Sequence, residues 1–347
     1  MAKWATTPRP SETIDAAASR PRASQTSSVE IALATYNSET YLAELLNSLF
    51  AQTSQQFMLI VSDDGSSDST LDILHSFGRR EPGRIRVLPP TVRRLGPIGN
   101  FSRLLDHASA DYLLLCDHDD VWLPNKLALS IERMVALEAV HPEHTSLLVH
   151  TDLVVVGPKL EVLSTSCFRY SNVDPRRSDL TSLLTANIAT GCASLINRAL
   201  YQRARPIPPQ AMMHDHWLAL VAAALGAISF IDQPTILYRQ HGSNLIGVEK
   251  KGGPLIRRVA RTLFGDEQRR MMIRYSRQAA ALLRRCGGEM SADARRRTET
   301  LANLWTLSRW RRLVLLRQSG LRLQGFVRNV ALLIVVFRGR RTESDEP

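Results

Sequence analysis

The sequence predicts an α/β fold with a mostly parallel central sheet and helices on both of its faces. Between residues 29 and 250, short apolar runs alternate with segments whose apolar side chains recur at helical spacing. The runs are apolar throughout, which is typical of parallel strands buried on both sides. The chain has 347 residues, of which 44% are hydrophobic and 22% charged. This composition is that of a globular protein and excludes collagen-like, coiled-coil and wholly disordered chains.

Four strand-and-helix units open the predicted fold. Residues 40–51 illustrate the helical pattern, because Tyr41, Leu45 and Leu49 recur every four residues. The predicted strands are 29–34, 57–62, 84–89 and 111–116, and the helices after them cover 40–51, the segment around 71–77, the residues after Pro97, and 125–138.

The rest of the α/β region continues the same alternation. Residues 147–157 predict one long strand or a pair of strands, and residues 191–198 predict a strand and a turn. A helix is predicted over 214–226, and two further strands over 227–232 and 234–241.

Composition divides the chain into three regions. Residues 1–28 are rich in Ser, Thr, Ala, Pro and Arg without apolar periodicity and predict a disordered leader. Residues 29–250 form the predicted α/β domain, and residues 251–347 form a basic helical region. This last region holds 22 of the 44 Lys and Arg residues but only 8 of the 33 Asp and Glu residues. The net charge of +11 is therefore concentrated there, which indicates one anionic partner surface.

Several classes of protein are disfavoured by what the sequence lacks. The four cysteines form no CxxC pair, which argues against a zinc ribbon and a disulfide scaffold and fits a reducing compartment. No apolar run approaches the ~20 residues that span a bilayer. The first residues lack the apolar core of a signal peptide. We therefore expect a cytoplasmic protein.

Polar loops follow three of the predicted strands. They are Thr35–Asn37, Asp63–Asp64 and Asp117–Asp120. Because ligands of such sheets bind beyond the carboxyl ends of the strands, we expect these loops to line one site.

The Asp117–Asp120 run predicts a divalent-cation site. If the segment is extended, the carboxylates of Asp117 and Asp119 point the same way, and paired carboxylates suit Mg²⁺ or Mn²⁺. The alternative is a solvated acidic turn that caps the next helix. Likewise, Asp63 and Asp64 suit hydrogen bonds to a nucleobase or a ribose, or they form only a turn and a helix cap.

Two later segments carry further candidates. Asp215 lies at a predicted helix start and suits a general base, with Trp217 as a stacking platform for a sugar; the alternative is a capping Asp with a core Trp. Arg239 suits a phosphate and His241 could complete a metal shell, unless Arg239 is a solvated strand end.

The combination of these motifs resembles glycosyltransferase family 2. The resemblance is carried by Ala34–Asn37, Val61–Asp68, Gly96 with Asn100–Phe101, and Cys116–Trp122 with Lys126. The later HDHW (214–217), Gly226 and YRQHGSN (238–244) are similar to the rhamnosyltransferase-like branch, so the resemblance covers about residues 29–247.

The resemblance implies a GT-A catalytic domain over 29–250 and an inverting transfer from a nucleotide-diphospho-sugar. It places Thr35, Asp63 and Asp64 in the nucleoside pocket, Asp117 near the ribose, Asp119 on the metal, and Asp215 as the catalytic base. Donor contacts are further expected from Asn37, Asn100 and Arg239, metal contacts from Asp117 and His241, and acceptor contacts from His216 and Trp217. The sequence departs from the branch at His118, where Gln is usual, and at His216, where Trp is frequent.

We expect the acceptor to be a glycan or a lipid-linked glycan of cell-surface polysaccharide synthesis, and the cofactor to be Mg²⁺ or Mn²⁺. Arginines alternate with apolar residues over 301–341, which suits a helix lying on an anionic membrane; the alternative is a helical hairpin packed on the catalytic domain. The tail has too few aromatic residues for a regular stacking series, so no nucleic-acid partner is expected. A catalytically inactive family member, or a binder of nucleic acid or another anionic surface through the tail, are the alternative functions. A phosphotransferase of another fold would place an Asp at the first strand end, where this chain has Thr35–Asn37.

Overall fold

The computed structural model describes residues 27–241, 266–321 and 326–338. Within these ranges the core is a sheet of nine strands. They are β1 (Val29–Thr35), β2 (Met58–Asp63), β3 (Ile85–Val87), β4 (Tyr112–Cys116), β5 (Val121–Trp122), β6 (Ser146–Val156), β7 (Val162–Ser164), β8 (Ser194–Asn197) and β9 (Gly226–Arg239). Their order is β3-β2-β1-β4-β8-β6-β9-β5, with β7 paired to the edge of β6.

The sheet is mostly parallel, as predicted. Strands β1 to β4 pair in parallel, and β8 lies antiparallel between β4 and β6. Since β9 pairs in parallel with β6, six of the nine described strands run in the same direction. The carboxyl ends of β1, β2 and β4 therefore meet at one edge of the sheet.

Helices cover both faces of the sheet. Along β1, Ile31 and Leu33 face one apolar cluster and Ala32 faces the other, as the two-residue period of a strand requires. The described helices are α1 (Leu42–Phe50), α2 (Thr70–Arg80), α3 (Gly96–His107), α4 (Lys126–Ala139), α5 (Cys167–Ser171), α6 (Leu180–Leu183), α7 (Arg198–Ala204), α8 (His214–Leu225), α9 (Asp266–Cys286), α10 (Ala292–Ala302), α11 (Arg309–Ser319) and α12 (Phe326–Arg338).

The two strands predicted over 227–232 and 234–241 form the single strand β9. Its register on β6 jumps between the pairs Thr151–Ile231 and Asp152–Pro234, so two residues of β9 are looped out near the junction of the two predicted strands. Pro234 has no N–H to donate, and such a residue is tolerated in a strand at an irregularity of this kind. Residues 147–157 form one long strand, β6, and the short elements β5, β7 and α5 to α7 were not predicted.

The two ends of the chain are described in part. Of the predicted leader, residues 1–26 lie outside the described residues, while the backbone N–H and hydroxyl of Ser28 donate to Asp111 at 2.9 and 2.8 Å. The boundary near residue 250 also lies outside them.

The described helices of the C-terminal region pack on the α/β domain. Met272 and Leu282 of α9 share one buried cluster with Trp217 of α8. Arg203 of α7 pairs with Glu289 at 3.0 Å, and Arg297 of α10 donates to Thr181 at 2.9 Å. None of the helices described here is both long and apolar enough to cross a bilayer.

Candidate active site

The ends of β1 and β2 are joined by side-chain hydrogen bonds. Thr35 and Asp63 are register partners, and the Thr35 hydroxyl donates to Asp63 at 2.8 Å. The Asp63 carboxylate also accepts from the backbone N–H groups of Gly65 and Ser66 at 3.1 and 2.8 Å. Gly65 has φ +84°, which glycine adopts without strain, so the tight turn after β2 depends on it.

Asp64 and Asn100 hold the neighbouring loop and helix in place. Asp64 is 3% exposed, and its two oxygens accept from the backbone N–H groups of Leu95 and Gly96 at 2.6 and 2.9 Å. The Asn100 amide, also buried, donates to the Ser62 carbonyl at 2.9 Å. Asp64 and Asn100, both predicted to bind the donor, therefore hydrogen-bond backbone groups and hold the loop and helix that form the wall of the site. Asn37, by contrast, is exposed at the loop tip, where its side-chain oxygen accepts from Ser67 N–H at 2.9 Å.

The carboxylates of the acidic run after β4 make two separate sets of contacts. Carboxylate oxygens of Asp117 and Asp120 and the Cys192 sulfur lie within 4.8 Å of one another, whereas Asp119 contacts His241 Nε2 at 2.9 Å. The chain bends at His118 and Asp119 instead of continuing as an extended strand, which is why the predicted common direction of Asp117 and Asp119 is not observed. Of the three predicted metal ligands, Asp119 and His241 are in contact, whereas Asp117 lies with Asp120 and Cys192.

Burial, and after it repulsion between carboxylates, raises the pKa values in this acidic group. Burial, followed by the nearby charges of Asp119 and Asp215, raises the pKa of Asp117 to about 7. Burial, followed by the nearby charges of Asp119 and Asp117, raises the pKa of Asp120 well above its ordinary value. Carboxylates that raise each other's pKa in a buried setting fit a hard divalent cation, since its charge would offset the repulsion.

Asp215 lies at the start of α8 and is half-buried. Its carboxylate accepts from the backbone N–H groups of Gly191 and His216 at 3.1 and 2.6 Å. Burial raises the pKa of Asp215 to about 6, against the lowering effect of these hydrogen bonds. Gly191 is required beside it, because a Cβ at this position would lie 2.7 Å from His214 Nε2.

A cavity of about 340 Å³ opens in front of Asp215. It is lined by Asn187, Met212, Met213, Asp215, His216, Arg274 and Tyr275. His216 thus lies where an acceptor contact was predicted, although its ring is 97% buried and its Nε2 donates to the Leu183 carbonyl at 2.7 Å.

Two predicted contacts are wrong in this structure. Trp217 is fully buried in the core, and its indole N–H donates to the Ala204 carbonyl at 2.8 Å, so no sugar can stack on it. Arg239 is 2% exposed; its guanidinium donates to the carbonyls of Asp119 and Pro158 at 2.8 and 2.6 Å, pairs with Glu44 and lies over Tyr41. With its donors used in this way, Arg239 supports the Asp119 backbone and is not a phosphate ligand.

Sequence analysis missed several residues at this site. Cys192 and Gly191 are short-loop residues with no motif around them. Arg274 and Tyr275 reach the cavity from α9, about sixty residues after Asp215. The sequence pattern predicted a helical region here. It could not predict that Arg274 and Tyr275 would reach Asp215, because no local pattern links segments so far apart in the chain.

Comparison with known proteins agrees with this geometry. Residues 30–203 match the sequence profile described as "Glycosyl transferase family 2". The chain is 28% identical to the dTDP-rhamnosyl transferase RfbG of Shigella flexneri, over 62% of this chain and 73% of that protein. It is 32% identical to the Escherichia coli protein named UDP-Glc:alpha-D-GlcNAc-diphosphoundecaprenol beta-1,3-glucosyltransferase WfgD, over 31% of this chain and 41% of that protein. The crystal structure of S. aureus TarS 1–349 aligns over 90% of this chain and 91% of its own, with a TM-score of 0.49 and 18% sequence identity. The chain thus spans most of the first relative and less than half of the second.

Proposed function

Because the chain belongs to glycosyltransferase family 2, we propose that it moves a sugar from a nucleotide-diphospho-sugar to an acceptor hydroxyl with inversion of configuration. The observation that carries this proposal is the position of Asp215. A half-buried carboxylate with a pKa of about 6 lines a cavity and lies close enough to the acidic run after β4 to raise the pKa of Asp117. A general base needs a pKa near the working pH and a place for substrate beside it, and Asp215 has both.

Asp215 takes the proton of the acceptor hydroxyl. The hydroxyl oxygen forms a bond to the anomeric carbon as the bond from that carbon to the diphosphate oxygen breaks on the opposite face. The electron pair of the broken bond leaves with the diphosphate, and the configuration at carbon inverts. One carboxylate is sufficient as base, because no second carboxylate has to protonate the leaving group as in a hydrolase.

We propose that Mg²⁺ or Mn²⁺ is held by Asp119, Asp117 and His241. When bound, such an ion stabilises negative charge on the diphosphate leaving group. Arg239 supports this site without contacting the ion. It donates to the Asp119 carbonyl and pairs with Glu44, and these contacts fix the loop that carries Asp119. The nucleoside side of the site is formed by Thr35, Asn37, Asp63, Asp64 and Asn100. Asp64 and Asn100 contribute by holding the neighbouring loop and helix in place.

We propose a deoxysugar or hexose donor, with dTDP-rhamnose the first candidate, because a relative 28% identical is named a dTDP-rhamnosyl transferase. The name of the second relative specifies a sugar on diphosphoundecaprenol as acceptor. This supports a glycan or lipid-linked glycan acceptor here, in the synthesis of cell-surface polysaccharide at the cytoplasmic face of the membrane.

The C-terminal hairpin of α11 and α12 offers a surface for that membrane. Within the segment 301–341 that was predicted to lie on the membrane, Trp305, Leu316 and Arg312 are buried. Like Arg309, Arg311 and Arg317, four apolar side chains described on these two helices are exposed. They are Trp310, Val314, Leu333 and Phe337, with 71, 53, 48 and 36% exposure. Aromatic and aliphatic side chains flanked by arginines suit the headgroup layer of an anionic bilayer.

The donor site is tested by thermal unfolding with dTDP, UDP and GDP, each with Mg²⁺, with Mn²⁺ or with EDTA. A nucleoside diphosphate at 100 times its dissociation constant is expected to add ~2.7 kcal/mol to the free energy of unfolding. The ligand with the largest shift selects the nucleotide-sugar for transfer assays. If none of these ligands raises the unfolding temperature with either metal, the proposed function is wrong.

The membrane contact is tested by flotation with vesicles of phosphatidylglycerol and phosphatidylcholine. Trp310→Glu is expected to reduce flotation, whereas Val162→Glu, which changes an apolar residue on β7 that is 61% exposed against 71% for Trp310, is expected to have no effect. Flotation that is equal for the wild type and Trp310→Glu, or absent for both at low salt, contradicts the membrane contact.

A further inference from the structure

Helix α9 supplies one wall of the cavity in front of Asp215. Arg274 and Tyr275 line the cavity, and Gln278 follows Arg274 by one helical turn. Residues four apart lie on the same helix face, so Arg274 and Gln278 both face the start of α8. The side of the site that meets the acceptor is therefore built jointly by the α/β domain and the C-terminal region.

Gln278 fixes the position of this wall. Its buried side-chain oxygen accepts from the backbone N–H of Met212 at 2.7 Å, and its amide contacts His216 Nδ1 at 3.3 Å. The other ring nitrogen of His216 faces the Leu183 carbonyl, which can only accept, so the proton is on Nε2 and Nδ1 accepts from Gln278. Burial lowers the pKa of His216 to about 4, which keeps the ring neutral in this chain of hydrogen bonds.

Arg274 is an arginine of α9 whose side chain lines this cavity. Among the described residues its one hydrogen bond is a long one, 3.4 Å from the guanidinium to the Met212 carbonyl, and it pairs with no carboxylate there. By contrast, Arg203 pairs with Glu289 at 3.0 Å and Arg297 with Asp293 at 2.7 Å. The Arg274 guanidinium is thus exposed at the cavity, and most of its donors make no hydrogen bond to the part of the chain that the structure describes.

We propose that this cavity takes the acceptor through an anionic group, a phosphate or a carboxylate, and that Arg274 selects it. Guanidinium groups bind both anions through paired, charge-assisted hydrogen bonds. The anion and the attacking hydroxyl then belong to the same acceptor sugar or its linkage, since Arg274 and Asp215 line a single cavity of about 340 Å³. This inference rests on the proposed function, because it assumes that Asp215 faces the acceptor.

The test measures binding of three glucose probes by ligand-observed NMR. They are methyl glucoside, glucose 1-phosphate and methyl glucuronide, which carry no anion, a phosphate and a carboxylate. Each is titrated with Mg²⁺ and the nucleoside diphosphate that gave the largest thermal shift, so that the donor phosphate site is filled. The wild type is expected to bind at least one anionic probe about tenfold or more tightly than methyl glucoside, the range for a hydrogen bond to a charged group. The stronger of the two anionic probes identifies phosphate or carboxylate as the source.

The variants decide whether Arg274 is responsible. Arg274→Gln is expected to lose the preference for the anion while nucleoside diphosphate binding stays unchanged. Arg284→Gln removes the same charge from an exposed position of α9 about 15 Å further along the helix, and is expected to keep the preference. Equal binding of the three probes, no binding of either anionic probe, a preference that survives in Arg274→Gln, or an equal loss in Arg284→Gln overturns the proposal. Failure of the wild type to bind any nucleoside diphosphate refutes the proposed function instead.

Discussion

Replacing Asp215 by Asn tests the candidate base through both stability and rate. The carboxylate is half-buried, and burial is the main reason why its pKa lies at about 6, against 3.8 for an ordinary Asp side chain. The fold therefore favours the protonated form of Asp215. Asn resembles that neutral form in shape and charge, so the substitution removes a charge that the folded state disfavours.

The sign of the effect on stability follows from this shift. Because the folded pKa is raised, the stabilising effect of protonation is fully present below about pH 4 and is lost as the pH rises through about 6. A shift from 3.8 to about 6 corresponds to at most about 3 kcal/mol, at 1.36 kcal/mol per pKa unit, and partial exposure to water reduces it. Between pH 4 and 7, the free energy of unfolding of the wild type should therefore fall relative to that of Asp215→Asn, by up to this amount.

The rate of sugar transfer should rise with pH over the range in which the stabilising effect of Asp215 protonation is lost. In the wild type, transfer should increase with pH as Asp215 loses its proton near pH 6, and it should be lowered about 10²–10⁴-fold in Asp215→Asn, the usual range for a general base. Nucleoside diphosphate affinity should stay nearly unchanged, because the cavity residues around Asp215 are distinct from the loops after β1 and β2.

The assay pairs urea unfolding at several pH values with the rate of nucleoside diphosphate release in the presence of acceptor. Asp232→Asn is the matched control, since it removes a carboxylate that is 74% exposed and should alter neither the pH dependence of stability nor the rate. Wild type and Asp215→Asn curves that run parallel from pH 4 to 7 would refute the raised pKa. A variant that transfers sugar at the wild-type rate would remove Asp215 from the role of base.

Two further substitutions separate the metal ligand from its support. Asp119→Asn should abolish the extra thermal shift that Mg²⁺ or Mn²⁺ gives to nucleoside diphosphate binding, and an equal shift with EDTA in the wild type would contradict the metal role. Arg239→Gln should lower the free energy of unfolding by about 1–3 kcal/mol without any ligand, measured by urea unfolding, because the buried carbonyl of Asp119 and the carbonyl of Pro158 lose their donor. Unchanged stability together with weakened nucleotide binding would instead make Arg239 a ligand of the donor.

The convergence of the polar loops could be predicted because it depends on chain order alone. Solidly apolar strands followed by helices imply a parallel sheet, and parallel strands place their carboxyl ends at one edge. The register pairing of Thr35 with Asp63, and their hydrogen bond, confirm this part of the prediction. The family resemblance also depended on these loops, and the match over residues 30–203 confirms it.

The direction of individual side chains could not be predicted in the same way. Whether Asp117 and Asp119 point together depends on the chain staying extended, and it bends between them. Trp217 follows Asp215 by two residues on a helix, so the same rotation that presents Asp215 to the cavity carries Trp217 into the core. The burial of Arg239 depends on Glu44 and Tyr41, which come from a different part of the chain.

The net charge of the C-terminal region predicted a single anionic partner surface, but its described arginines do not all face one surface. The described arginines of this region lie in different environments. Arg312 is buried and donates to the carbonyls of Trp305 and Val336, Arg274 faces the cavity beside Asp215, and Arg309 is exposed next to Trp310. Among the described residues, an exposed arginine such as Arg309 is available to an extended anionic surface, whereas the buried Arg312 is not. Because the described C-terminal helices also contribute Met272, Leu282 and Leu301 to the core, deleting this region would remove a cavity wall and buried apolar area together with any membrane contact. Single substitutions at Arg274 and Trp310 therefore separate acceptor recognition from membrane binding, which no truncation of the tail can do.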